Sequence, residues 1–178
     1  MEDDIYRERN IVEVSTGEIK FGYLNTILTV SAIGSCIAVA AYNMKKHIGA
    51  LAHIMLPGIA PVHVKGNKRK YAYNALDFML ETFYECGMKD IKDIEISMVG
   101  GANVLQREAD NIGISNINSV IEYIKRKNLK IVAQDVGGLL RRSIMFDIPT
   151  GKVFFSVGDS PKKLLWQSYN SQHGKTEK

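Results

Sequence analysis

The chain of 178 residues has little cysteine and proline and no long apolar run, and each shortage excludes a class of protein. Two cysteines are too few for a disulfide framework, and in a reducing compartment they are not expected to pair. With the four histidines they show no paired metal-ligand spacing, so no metal is expected. No apolar stretch is long enough to span a bilayer, and the acidic start, Met1 to Asp4, is unlike a signal peptide. We therefore expect a cytoplasmic protein without direct membrane insertion.

The net charge of +4 comes mainly from two basic runs, residues 65–70 and residues 125–127. Neither run is interleaved with aromatic residues, which a nucleic-acid surface would favour. One run is expected in a loop and the other at a helix end, where the helix dipole alone favours basic side chains. A solvated surface is the better interpretation, and no nucleic-acid partner is expected.

Most of the chain has the pattern of short strands. Strand-like segments run over residues 27–33, 37–41, 47–55, 94–99 and 131–133. Two hairpins are predicted, one at each end of the chain. The first joins residues 11–14 to 18–23 around Thr16-Gly17, and the second joins 144–148 to 153–157 around Thr150-Gly151.

Two segments have helical periodicity. In the first, the apolar residues from Tyr71 to Phe83 recur at helical spacing, and Gly87 stops the helix. The second is predicted to be capped by Ser115 or Asn116, with an apolar face that includes Ile117, Val120, Ile121 and Ile124. Strands without strict strand–helix alternation predict an α/β layered sandwich, a mixed sheet covered by two helices. We expect one domain over residues 11–165, an N-terminal extension over 1–10 and a polar tail over 166–178.

Cys36 and His53 are the candidates for chemistry. Cys36 follows a tight Gly34-Ser35 turn between two apolar runs, so its sulfur is uncrowded and successive backbone N–H groups are available. His53 lies within an apolar segment, where a histidine requires a partner. A nearby imidazolium stabilises a thiolate, which is the nucleophilic form of cysteine. The alternative is an inert cysteine and a core histidine.

Several motifs in order along the chain resemble the CheD family of chemoreceptor glutamine deamidases. The resemblance covers about residues 11–157 and rests on the ordered set rather than on any single motif. The matching segments are Gly34 to Val39, Gly49 to Pro57, Lys70 to Ala72, Gly100 to Ala102, Asn111 to Gly113 with Asn116, Asp135 to Gly138 with Arg142, and Thr150 to Lys152.

This resemblance implies a protein-glutamine deamidase that uses a catalytic Cys-His-Thr set and needs no cofactor. Its substrates would be glutamines in the cytoplasmic helical region of chemoreceptors, and a partner would be a CheC-type phosphatase. Carried over by position, the nucleophile is Cys36 and the base is His53. We also expect Gly34, Ser35, Gly100 and Gly101 to line the cleft or to bind the oxyanion. Neither glycine pair after a strand has a nucleotide-binding pattern.

The sequence departs from the family at the third catalytic position. The family usually has a threonine five or six residues before the cysteine, and here Ser31 and Val30 occupy those positions. A hydroxyl there would fix the tautomer of the histidine. Ser31 is the first candidate and Thr29 the reserve. With Val30 in the orienting role the set would be incomplete, so a non-catalytic adaptor that binds a CheC-type phosphatase and receptors is the alternative function. A cysteine protease is a third possibility, although no protease motif surrounds Cys36.

Overall fold

A computed structural model describes residues 9–107 and 111–168. The described residues form ten strands and two α-helices. The strands are β1 Asn10–Glu13, β2 Ile19–Tyr23, β3 Thr26–Ile33, β4 Ile37–Asn43, β5 Ile48–Ile54, β6 Ile94–Gly100, β7 Lys130–Val136, β8 Arg142–Asp147, β9 Lys152–Val157 and β10 Lys163–Gln167. The helices are α1 Ala72–Glu85 and α2 Ile112–Arg126, and short 3-10 turns cover Lys68–Lys70 and Ile91–Asp93.

The strands form two five-stranded sheets, in the orders β1-β3-β8-β9-β10 and β2-β5-β4-β6-β7. Both sheets are mixed, because β1 is parallel to β3 and β6 is parallel to β7, whereas the other pairs are antiparallel. The sequence predicts a single mixed sheet covered by two helices. The structure has two mixed sheets, and the helices cover the second one. The expectation of a layered α/β sandwich is confirmed.

Strand β4 lies at the centre of the molecule, and its residues alternate between two cores. Ile37, Val39 and Ala41 face α1 and α2, and Ala38 and Ala40 face the other sheet. Burial on both faces explains why this strand is an unbroken apolar run. The layers are therefore sheet, sheet and helices, with β4 and β5 in the middle layer.

The helix predictions hold, with one corrected boundary. Helix α1 buries its predicted apolar face and ends before Gly87, whose N–H donates to the Tyr84 carbonyl. Helix α2 begins at Ile112, so Ser115 and Asn116 lie inside the helix and do not cap it. Asn116 is completely buried. The capping prediction was wrong because tertiary contacts of this asparagine replace its local preference for a helix end.

The first predicted hairpin is wrong. β1 pairs with β3, β2 pairs with β5, and the two strands belong to different sheets. The segment around Thr16-Gly17 carries the chain from one sheet to the other. Local turn residues indicate a change of direction, but they do not determine which strand becomes the partner.

At the C-terminal end, the predicted hairpin of β8 and β9 is confirmed. A further strand, β10, pairs antiparallel with β9, and its Trp166 packs against the core between the sheets. The predicted tail therefore begins within a strand and continues into the buried Ser168. Residues 169–178, like most of the predicted N-terminal extension, lie outside the described residues. In the described parts of the chain no helix has the length and apolar character needed to cross a membrane.

Candidate active site

Cys36 lies in a bend immediately before β4, at the edge where the loop after β6 approaches. Its carbonyl accepts a hydrogen bond from the Gly101 N–H at 2.7 Å, and the Gly34 carbonyl accepts one from the Ala102 N–H at 2.9 Å. The side chain is half-buried and packs at the margin of the core between the sheets. The backbone of Cys36 is thus held, while the residue remains partly exposed.

His53 lies on β5 directly opposite Ala38 of β4. Strand alternation places His53 with Leu51 on the side of the core between the sheets, and Cys36 packs at the margin of that same core. The structure therefore brings Cys36 and His53 to one face of the β4–β5 pair.

The segment that joins β1 to β2 wraps around His53. The Gly17 N–H donates to the His53 carbonyl, and the His53 N–H donates to the Glu18 carbonyl. The ring atom Nδ1 lies 3.3 Å from the Val14 carbonyl oxygen. Since a carbonyl only accepts, Nδ1 carries the proton and donates, which leaves Nε2 with its lone pair free to accept one.

The structure does not bring the two candidate hydroxyls to this imidazole. The Thr29 hydroxyl donates to the Glu13 carboxylate at 2.6 Å. Ser31 is exposed, and its backbone N–H donates to the same carboxylate. Between Thr29 and Ser31, Val30 is the residue that faces inward, and only 1% of its surface is exposed. The group that orients His53 is the carbonyl of Val14, which no sequence signal could single out because every residue has a carbonyl.

Burial shifts the pKa values of both groups toward their neutral forms. It raises the pKa of the Cys36 thiol, against a smaller opposing effect of the Cys36 backbone N–H. It lowers the pKa of His53, and the Val14 carbonyl and the Glu13 charge oppose this only in part. Both shifts oppose the expected thiolate–imidazolium pair and favour the neutral thiol and the neutral imidazole.

The predicted cleft glycines lie next to Cys36. A Cβ on Gly100 would lie 2.4 Å from the Cys36 carbonyl oxygen, and the φ of Gly100 is +117°. A Cβ on Gly101 would lie 2.5 Å from Ile117 of α2. The carbonyl of Ser35 accepts a hydrogen bond from the Asn116 side chain at 2.9 Å. This asparagine, known from sequence only as part of a motif, is in direct contact with the nucleophile loop.

Arg142 organises the neighbouring loop of residues 137–141. Its guanidinium donates to Asp135 at 2.7 Å and to the carbonyls of Gly137 and Leu140. Arg142 is buried and paired with Asp135, so the loop beside the cleft is tied to the sheet.

Among the residues that the structure describes, no group of three or more histidine, cysteine or acidic side chains could hold a metal ion. The site supplies a cysteine, a histidine with one free ring nitrogen and backbone N–H donors. Cysteine–histidine amidohydrolases use groups of these kinds.

Comparison with known proteins identifies the family. The family model described as CheD, chemotactic sensory transduction, matches residues 55–157, more than half of the chain. The chain belongs to the CheD family.

Relatives extend the match across the candidate site. The "Probable chemoreceptor glutamine deamidase CheD" of Chlorobium luteolum is 37% identical over 154 residues, 86% of this chain and 76% of that protein. The "Chemoreceptor glutamine deamidase CheD" of Thermotoga maritima is 32% identical over 127 residues, 71% of this chain and 79% of that protein. Cys36 and His53 precede the segment matched by the family model. Both lie within the alignment to the Chlorobium luteolum protein, because that alignment covers 86% of the chain and too few residues remain outside it.

Proposed function

We propose that this protein is a protein-glutamine deamidase, which converts glutamine side chains of chemoreceptors to glutamate and releases ammonia. The observation that carries the proposal is the position of Cys36 and His53 on one face of the β4–β5 pair, with Cys36 partly exposed. The names of its relatives supply the substrate. A chemoreceptor substrate would place the protein in the cytoplasm, where the helical regions of chemoreceptors lie. The family resemblance implies a CheC-type phosphatase as its partner, which we include in the proposal.

The mechanism starts from the neutral pair. His53 Nε2 takes the thiol proton of Cys36 as the sulfur attacks the side-chain amide carbon of glutamine. The oxyanion is bound by backbone N–H groups, including that of Cys36. Protonated His53 then gives its proton to the amide nitrogen, and ammonia leaves as the thioester forms. Water, deprotonated by His53, hydrolyses the thioester to glutamate and restores the thiol.

Exposed apolar side chains beside the cleft favour a protein substrate over free glutamine. Val104 and Leu105 project from the loop after β6, and Leu139 and Leu140 project from the neighbouring loop. The two loops are joined by a hydrogen bond from the Asn103 N–H to the Gly138 carbonyl, and Val104 approaches Gly34. An apolar patch of this kind marks an interaction surface.

Non-catalytic adaptor function is the second candidate, and two observations favour it. Neither of the two positions where the family usually has the orienting threonine, here Ser31 and Val30, carries a threonine, and the thiol pKa of Cys36 is raised rather than lowered. The Val14 carbonyl supplies the orientation that the threonine would provide. We therefore favour the enzyme.

The deciding experiment is intact-mass analysis of a chemoreceptor cytoplasmic fragment incubated with the protein. We expect the mass gain of glutamine-to-glutamate conversion, and we expect iodoacetamide pretreatment of the protein to abolish it. Cys86→Ser is the control, because Cys86 is the other free thiol and is exposed on the surface. This variant should be active and should be inactivated like the wild type. Unchanged receptor mass with untreated protein would favour the adaptor.

The pH dependence follows from the two burial effects. Since the pKa of His53 is lowered, kcat/KM should persist at about pH 6.5 and fall only at lower pH, where the base becomes protonated. Since the pKa of Cys36 is raised, its alkylation rate in the free protein should keep rising above about pH 8.5. This rate is measured by quenching iodoacetamide labelling at successive times and determining the labelled fraction by mass spectrometry. A plateau near neutral pH would instead indicate a thiolate–imidazolium pair and contradict the neutral resting state.

A further inference from the structure

Asn116 of α2 connects the ends of the two strands that carry Cys36 and His53. Its Nδ2 donates to the Ser35 carbonyl at 2.9 Å and to the Met55 carbonyl at 3.0 Å. Ser35 directly precedes the nucleophile, and Met55 lies two residues beyond His53. Both partners are carbonyls, which only accept, so the orientation of the side-chain amide is determined by its contacts.

The hydrogen bond to Ser35 also determines where the Cys36 N–H points. The Ser35 carbonyl and the Cys36 N–H belong to one planar peptide group, in which the two point in opposite directions. With the carbonyl held by α2, the N–H is directed away from the helix. A substrate carbonyl that approaches the sulfur from the side away from α2 would meet this N–H. A hydrogen bond on the carbonyl also polarises the peptide and strengthens its N–H as a donor.

The surroundings of Asn116 leave α2 little room to shift. A Cβ on Gly113, one turn earlier, would lie 2.5 Å from the Gly101 carbonyl oxygen, so the start of the helix is in close contact with the loop after β6. Asn116 is fully buried, and its Oδ1 has no hydrogen-bond partner among the described residues. A buried acceptor without a partner lowers stability. The side chain is therefore better explained by where it holds the nucleophile loop than by its contribution to folding.

We propose that Asn116 is a positioning residue that orients the Ser35–Cys36 peptide so that the Cys36 N–H binds the oxyanion of the deamidation reaction. This inference rests on the proposed function. It predicts a loss in kcat that does not extend to the reactivity of the thiol, because alkylation by iodoacetamide develops no oxyanion.

The test compares Asn116→Leu and Asn116→Ala with wild type in receptor-fragment deamidation and in Cys36 alkylation. Loss of a direct oxyanion donor costs about 10²–10³ in kcat, and an indirect role should cost about 10–100-fold. We expect KM to stay within about threefold and the alkylation rate and its pH profile to stay near wild type, since Cys36 and His53 remain in place. The leucine variant keeps most of the side-chain volume without an unpaired oxygen. Thermal unfolding curves define a temperature at which both variants are folded, and all assays are run at that temperature.

Tyr123→Phe is the matched control. It removes another side-chain hydrogen bond of α2, from the Tyr123 hydroxyl to Asp77 at 2.6 Å, about two helical turns beyond Asn116. Its kcat should equal that of wild type. The inference is overturned if both Asn116 variants retain wild-type kcat, if their alkylation falls in parallel with kcat, or if the Tyr123 variant loses as much. Wild-type protein that deamidates no receptor glutamine would instead overturn the proposed function itself.

Discussion

Cys36→Ala is expected to reduce deamidation of a chemoreceptor fragment to background, at least about 10⁴-fold below wild type. The chain has one other thiol, Cys86, which is exposed in a surface pocket lined by Phe21, Ile48 and Pro149. From that position it cannot replace Cys36 as the nucleophile. The fold should be retained, because Cys36 is half-buried at the margin of a core and its sulfur has no hydrogen bond among the described residues. Ammonia release and intact receptor mass measure the activity, and urea denaturation measures the stability.

The informative comparison is with His53→Ala in the same assay. If His53 is the base, this variant should lose nearly as much activity as Cys36→Ala, and the double variant should lose no more than either single one. Residues that act as one unit are non-additive in this way. Cys36→Ala protein that still converts glutamine would falsify the assignment of the nucleophile. If His53→Ala keeps an activity close to that of wild type, His53 is not the base and the proposed mechanism lacks its proton acceptor.

Gly100→Ala is expected to have the largest effect on stability, about 2–5 kcal/mol of the free energy of unfolding. Two costs add. A residue with a side chain is strained at φ +117°, and the new Cβ would lie 2.4 Å from the Cys36 carbonyl oxygen and 2.7 Å from Ile33. Backbone and core neighbours cannot give way cheaply, so the Cys36 bend must shift. Urea denaturation should show the lower stability, and deamidation should fall because the nucleophile is displaced.

Gly66→Ala separates the two costs. Gly66 has almost the same φ, +115°, but nothing lies within 4 Å of its added Cβ. This variant should therefore lose only the conformational part, about 1–3 kcal/mol, and should keep full activity. Equal destabilisation of the two variants would show that the contact of the new Cβ with Cys36 adds no cost in the free energy of unfolding. Glycine would then be required at position 100 only for its backbone conformation.

How much of the site is predictable depends on the distance along the chain between its members. Cys36 and His53 lie on consecutive strands joined by a tight turn, so their proximity follows from a local pairing. The orienting carbonyl of Val14 is 39 residues from His53, and Asn116 is 81 residues from Ser35. Neither contact has a local pattern, because each depends on how sheets and helices pack. The choice of Ser31 illustrates this difficulty, since spacing to Cys36 does not reveal that β3 turns this side chain outward.

The fold shows the same division. The apolar run of β4, the helical periodicity of α1 and the β8–β9 turn could be interpreted from sequence, because strand alternation, helix faces and turn chemistry are local properties. The amino-acid sequence by itself thus indicated most of the elements, the candidate Cys-His pair and the resemblance to CheD. Only the tertiary structure decided that β1 and β2 belong to different sheets, that a backbone carbonyl orients the imidazole and that Asn116 holds the nucleophile loop. The physical reason is that backbone hydrogen-bonding groups are the same in every residue, so long-range packing alone selects their partners.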